Sequence, residues 1–318
     1  MSLNFNNHHD RSKLKITLGP LLIAALEDPH VNEIMLNPDG KIFADFALSG
    51  MQCIGKMNEE NALTLIKASA SLMNIEIIRD RPIVSGELFY DGSRFEALLP
   101  PLVKAPIFSI RKHNSLNLSL DELKNKGFMS SYYLEILKKA VLEHKTILIS
   151  GQTGCGKTTL INALLNHIKN INKNERVITL EDTRELALNL ENSVSLVTNE
   201  NTSLCDLVKQ TLRLRPDRIV IGEVRGPEAL DLLDALCTGH KGALASIHAG
   251  SIEQTLKRLA LLITRHQNAP KSCEQLIAEA LDVVVLLSNY PKRHIKNIAF
   301  IKGYENNHYL YEIKGDLS

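Results

Sequence analysis

Gly151-Gln152-Thr153-Gly154-Cys155-Gly156-Lys157-Thr158 carries the clearest chemical signal in the chain. It matches the phosphate-loop pattern G-x-x-x-x-G-K-[ST]. Glycines let the backbone curl so that successive N–H groups point at phosphate oxygens. A helix starting at the lysine adds the positive end of its dipole. Lys157 then neutralises the β and γ phosphates of a nucleotide, Thr158 can bind Mg²⁺, and Thr159 continues the binding segment. A Gly-rich turn without function is the bland alternative. The flanks argue against it, because the apolar strand Ile147-Leu148-Ile149 precedes the loop. An amphipathic helix with Leu160, Ile161, Leu164, Leu165 and Ile168 follows it.

Three later stretches place reactive side chains where such a loop needs them. Val177-Ile178-Thr179-Leu180-Glu181-Asp182 reads as an apolar strand ending in two carboxylates. In a parallel sheet the C-terminal strand ends face the nucleotide, and Glu181 there can polarise the attacking water. The same stretch also reads as a strand running into a helix whose first turn favours acids. Ile219-Val220-Ile221-Gly222-Glu223 is a second buried strand, in the place of a Walker B strand. Its usual terminal Asp is absent, so Glu223 is the acid available for the Mg²⁺ side. Gly222 is expected to let the backbone approach the phosphate loop. Which of Glu181 and Glu223 is the base stays open at this point. Arg213, Arg215 and Arg218, ahead of that strand, can contact phosphate or pair with acids. Finally, His248 closes the short apolar strand Ala243–Ile247 on the nucleotide side, where a histidine can sense the γ-phosphate. A hydrogen-bonded structural histidine is the alternative there.

These elements need a scaffold, and the rest of the chain supplies one. With 318 residues, 44% hydrophobic and 23% charged, the chain suits a soluble globular protein of two domains. The net charge of +1 argues against holding nucleic acid by bulk electrostatics. The five cysteines lie far apart with no C-x-x-C pair, which argues against a sequence-local zinc site and suits a reducing compartment. No signal-peptide core or membrane-length apolar run occurs, so the expected location is cytoplasmic.

Periodicity divides the chain. Residues 1–111 read as an α+β domain with antiparallel pairing, its first ~12 residues a loose tail. It contains a helix over Leu18–Leu26, a hairpin with a Pro38-Asp39-Gly40 turn, a helix over Asn58–Met73 and a second hairpin over Leu88–Leu99. Residues 112–130 read as a polar linker. Residues 131–318 alternate strands and helices, which predicts an α/β domain with a mainly parallel sheet.

In order and spacing the four motifs resemble those of the secretion or traffic ATPases. In that resemblance Gly151–Thr158 is the Walker A loop and Thr179-Leu180-Glu181-Asp182-Thr183-Arg184-Glu185 the acidic "Asp box". Leu214 to Gly226 is the atypical Walker B segment, and Thr238-Gly239-His240 through Gly250 the "His box". Within the superfamily the chain is most similar to the TrbB ATPases of conjugative transfer, through Leu18-Gly19-Pro20-Leu21, Glu33–Gly40 and Phe108-Ser109-Ile110-Arg111-Lys112. The Glu-Asp-Thr-Arg-Glu form of the acidic box points the same way. Cys155 stands where such loops often hold Ser or Ala, a position that contributes its backbone.

The resemblance implies a RecA-like C-terminal domain behind a smaller N-terminal domain, with ATP and Mg²⁺ bound between them. It implies a homohexameric ring that hydrolyses ATP to energise substrate transfer or pilus assembly. Partners would be inner-membrane components of a secretion or conjugation channel, with membrane association only through them. By the same analogy Arg94 and Arg111 reach the nucleotide phosphates when the domains close; an ion pair is the alternative for each. Competing readings are a pilus assembly or retraction ATPase, a RecA-type helicase or DNA-packaging motor, a small-molecule kinase, and a scaffold that binds ATP without turnover. Sequence-specific nucleic-acid binding is not expected.

Overall fold

Leu14, Leu18, Leu22 and Leu26 recur every four residues and are all buried, giving the first helix one apolar stripe. The computed structural model describes residues 7–46, 50–78, 80–112, 118–199 and 201–315. Helix α1 spans Asn7–Glu27 and is kinked where Gly19 takes φ 70° ahead of Pro20. Of the residues expected as a loose tail, those from Asn7 onward are helical. The residues before Leu14 continue the helix without adding apolar positions, which is why hydrophobic periodicity did not reveal them. Met1–Asn6 lie outside the described residues.

The chain divides into two compact units, Met1–Asn114 and Ser115–Ser318. After α1 the first unit runs β1 (Val31–Leu36), β2 (Lys41–Phe46), β3 (Gly50–Lys56), α2 (Glu59–Leu72), β4 (Ile83–Glu87), β5 (Arg94–Leu98) and β6 (Ile107–Arg111). Its sheet has the order β3-β2-β1-β6-β5-β4, with antiparallel neighbours throughout. Asn58 caps α2 by accepting the Asn61 N–H at 2.8 Å. Ala62, Leu65 and Ile66 turn the helix onto a core shared with α1 and the sheet. The second hairpin keeps its expected second strand, Arg94–Leu98, but the first is Ile83–Glu87, ahead of the expected Leu88–Tyr90. Asp91 accepts from the Ser93 N–H and hydroxyl, and the Leu88 N–H bonds back to Ser93 O, so residues 88–93 form the turn.

The second unit begins inside the stretch read as a linker. Helix α3 spans Leu120–Asn125, closed by a reciprocal capping box between Ser119 and Glu122. Leu120, Leu123, Phe128 and Met129 are buried against the following helices. Polar and charged residues interleave with the leucines of this stretch and masked its short apolar face. Next come α4 (Ser131–Leu142), β7 (Ile147–Ser150), α5 (Lys157–Ile171), β8 (Val177–Glu181), β9 (Ser193–Val197), α6 (Leu204–Thr211) and β10 (Arg218–Ile221). The chain continues through α7 (Glu228–Cys237), β11 (Leu244–Ile247), α8 (Ile252–Ile263), α9 (Glu274–Ala280), β12 (Val283–Ser288), β13 (His294–Glu305) and β14 (His308–Lys314).

The sheet order is β14-β13-β12-β7-β11-β10-β8-β9. From β12 to β9 every neighbour is parallel, and β13 and β14 add an antiparallel edge. This is an α/β arrangement. Strands β7, β10 and β11 are buried along their whole length, as a sheet covered on both faces requires. Alternate residues serve opposite layers: Ile147 and Ile149 pack with α3, α4 and α5, while Leu148 packs with α6 to α9. Because β7, β8, β10 and β11 run parallel, the segments that follow them emerge at one end of the sheet.

Arg218 lies at the other end. Its side chain is 1% exposed and bonded through Nε to Glu175 at 2.7 Å. Its Nη atoms donate to Gly242 O at 2.8 Å and Val141 O at 3.2 Å. Of the roles open to this arginine from sequence, the structure takes the acid pair, away from the strand ends that carry the phosphate loop.

Candidate functional site

Strand β7 ends at Ser150 and the loop begins at once. Gly154 and Gly156 take φ values of 74° and 99°, left-handed geometry that suits glycine. Gly156 also opens α5 beneath Phe128, whose Cε2 would lie 3.0 Å from an added Cβ. Lys157 is the first residue of α5 and is buried, with 8% exposure. Its Nζ donates to Gly151 O at 3.1 Å and Gln152 O at 3.3 Å, and lies 3.1 Å from His248 Nδ1. Burial holds its pKa below the usual lysine value. Gln152, Thr153 and Gly154 are exposed, while Thr158 and Thr159 are half-buried. Cys155 is buried, and burial pushes its thiol up, which disfavours the thiolate.

Glu181 closes β8 with 4% exposure. Its Oε1 accepts the N–H groups of Glu185 and Leu186 at 2.9 and 3.0 Å. Oε2 is buried without a hydrogen-bond partner among the described residues. Burial dominates those two stabilising bonds and lifts the carboxyl to about 7. A carboxylate poised there can take a proton near neutral pH. The Glu181 bonds also fold residues 182–186 back toward α5, where Asn162 Oδ1 accepts the Ala187 N–H at 2.9 Å. That turn places the Glu185 carboxylate over the loop, and Thr158 Oγ1 donates to its Oε2 at 3.3 Å. Gly222 serves the same acid. A Cβ there would lie 3.1 Å from Glu181 Cγ, so the glycine makes room for Glu181 and not for the phosphate loop, as the sequence had suggested.

Glu223 follows β10, and the neighbouring strand fixes it. Ser246 Oγ donates to Gly222 O at 2.6 Å, and the Val224 N–H donates to Ser246 O at 2.8 Å. Both carboxylate oxygens of Glu223 are engaged. Oε1 lies 2.9 Å from His248 Nε2, and Oε2 accepts from Arg225 Nη2 at 2.6 Å. Arg225 Nη1 lies 3.5 Å from Asp182 Oδ2, which ties the Walker B segment to the acidic box. Buried Glu228 holds the intervening turn by accepting the Arg225 and Gly226 N–H groups at 2.7 and 2.8 Å. The result is a chain of polar contacts from Lys157 through His248, Glu223 and Arg225 to Asp182.

The structure thus gathers Gly151–Thr159, Glu181, Glu223 and His248 at one end of one sheet. Arg94 and Arg111 belong to the first unit. They are register partners on β5 and β6 and both are exposed, a like-charged pair on one sheet face. Sequence reasoning assigned no role to Glu185 or Arg225. Glu185 stood within the quoted acidic box, four residues after Glu181, but only the backbone turn reveals which group it faces. For a divalent cation, the Thr158 hydroxyl and Glu185 carboxylate offer the hard oxygen donors that Mg²⁺ prefers, alongside phosphate. Among the described residues, no cluster of three or more His, Cys, Asp or Glu is placed to hold a metal alone.

Residues 91–299 match the family described as type II/IV secretion system protein. The chain is 40% identical over 301 residues to the conjugal transfer protein TrbB of Rhizobium radiobacter, covering 94% of this chain and 93% of that one. Among solved structures it resembles the VirB11 ATPase of the Brucella suis type IV secretion system, at 27% identity and a TM-score of 0.50, covering 92% and 96% of the two chains. The fold also matches the Legionella pneumophila ATPase DotB, at 17% identity and a TM-score of 0.63, over 96% and 83% of the chains. Among the described residues no helix is long and apolar enough to cross a membrane. Sequence, fold and the grouping of motif residues converge, and the chain belongs to the type II/IV secretion system protein family, as a traffic ATPase of the TrbB and VirB11 kind.

Proposed function

We propose that this protein is an ATP-hydrolysing motor that energises substrate transfer or pilus assembly in a type IV secretion or conjugation system. One observation carries the reading: Lys157 lies at the mouth of a phosphate loop, within 3.1 Å of a histidine that is itself paired with Glu223. In this reading the second unit is the RecA-like domain. Loop N–H groups from Gly151 to Thr159 cradle the phosphates, and Lys157 exchanges the Gly151 and Gln152 carbonyls for phosphate oxygens. Glu181 accepts the proton of the attacking water, which its raised pKa suits. His248 reports the γ-phosphate to Glu223 and Arg225. Mg²⁺, when bound, neutralises phosphate charge on the Thr158 side. Glu223 was the expected acid there, but its two oxygens are committed to His248 and Arg225.

Arg94 and Arg111 complete the site in a homohexameric ring when ATP draws the first unit onto the second. The ring works at the cytoplasmic face of the inner membrane, held there by channel subunits. The names of the relatives support the setting: one is a conjugal transfer protein, another an ATPase of type IV secretion. Solution mass with and without ATP and Mg²⁺, together with turnover of Arg94→Ala and Arg111→Ala, tests this. Hexamers with turnover reduced at least about tenfold in either variant are expected. A fully active monomer, unchanged in both variants, would refute the ring and the interdomain site together.

A further inference from the structure

We propose that Glu185 is the protein carboxylate that receives the nucleotide's divalent cation at Thr158, a role the sequence pattern gave to Glu223. The inference rests on the reading of Gly151–Thr158 as a nucleotide site.

Three observations carry it. First, the hydroxyl that phosphate loops offer to the cation is that of Thr158, and the acid in contact with it is Glu185, at 3.3 Å. Second, this contact is built by the fold. Glu181 binds the Glu185 and Leu186 N–H groups, and Asn162 binds that of Ala187, so the turn is held on both sides of Glu185. Third, the competing acids have other engagements. Glu223 is bonded to His248 and Arg225, and Asp182 pairs with Arg225 and accepts from Thr198 Oγ1 at 3.3 Å.

Electrostatics fits the division. A Mg²⁺ ion dehydrates reluctantly and is held by one or two carboxylates plus substrate phosphates. Glu185 therefore acts in the coordination or hydration sphere of the ion and is a positioning residue for the reaction. Glu181, one turn of chain away, is left free for the proton.

The test uses the full-length protein and a fluorescent, non-hydrolysable ATP analogue, titrated with Mg²⁺ and, in parallel, with Mn²⁺ read by electron paramagnetic resonance. Glu185→Gln keeps an oxygen for Thr158 and removes the charge. It should raise the Mg²⁺ and Mn²⁺ midpoints by about 10–100-fold and leave analogue affinity in EDTA unchanged. Glu185→Asp, which keeps the charge, should fall between Gln and wild type. Glu223→Gln should move the midpoints by less than about threefold. Unchanged midpoints in Glu185→Gln, or an equal loss of analogue affinity in EDTA, would overturn the assignment while leaving the nucleotide site intact. If the wild type binds no analogue with or without metal, the functional reading itself fails.

Discussion

Replacing Glu181 by Gln separates the cost of burying this carboxyl from its use. Glu181 is 4% exposed, and burial raises its pKa from 4.5 to about 7 despite two N–H bonds that favour the charged form. The folded protein therefore holds a proton that the unfolded chain releases between those values. Stability must fall as pH rises across that window, because the native state binds more protons. At about 1.4 kcal/mol per unit, the ionised acid costs about 3 kcal/mol, fully present above the folded pKa and absent below the unfolded one. Gln does not titrate. Urea unfolding of both proteins without nucleotide, at about pH 4 and pH 8, isolates the term, since other groups cancel in the difference. The variant should gain about 3 kcal/mol on wild type between the two conditions. Parallel stability curves would refute the claim that Glu181 is a desolvated acid. Turnover gives a second check: wild-type kcat should rise through about pH 7 and level off, with Glu181→Gln lower by about 10²–10⁴-fold.

Two further outcomes follow from the polar contacts. Arg225→Ala removes one of the two partners of Glu223 and the bridge to Asp182. Because the guanidinium is half exposed, kcat for ATP should fall only about tenfold with KM little changed, measured by steady-state kinetics. Glu175→Leu leaves the Arg218 guanidinium buried without its acid and should cost about 3–5 kcal/mol in urea unfolding, with nucleotide affinity retained under conditions where the variant is folded.

Local signals made most of the second unit legible. A G-x-x-x-x-G-K-T loop between an apolar strand and an amphipathic helix fixes its own neighbourhood, and the strands ending at Glu181 and Ile221 are mostly apolar. Parallel pairing then brings Glu181, Glu223 and His248 to one end without further information. Pairings across the chain were the hidden part. Arg225 meets Asp182 from a separate loop, and Arg218 meets Glu175 at the far end of the sheet; neither choice is written in local periodicity. Glu185 escaped because its position depends on backbone N–H groups turning around Glu181. Gly222 was assigned the wrong neighbour for a similar reason, since adjacent parallel strands set what a glycine makes room for. Helix α3 and strand β3 were missed because each buries too few apolar residues to show a period.

The proposed function has Lys157, held between the loop carbonyls and His248, meeting the nucleotide phosphates. Its most direct measurement is ATP turnover by purified wild-type and Lys157→Ala proteins with Mg²⁺, beside their affinity for ATP. No other ammonium lies against Gly151 and His248 among the described residues. The wild type should hydrolyse ATP with Mg²⁺, and the variant should lose turnover and most ATP affinity. Wild-type turnover in Lys157→Ala would contradict it.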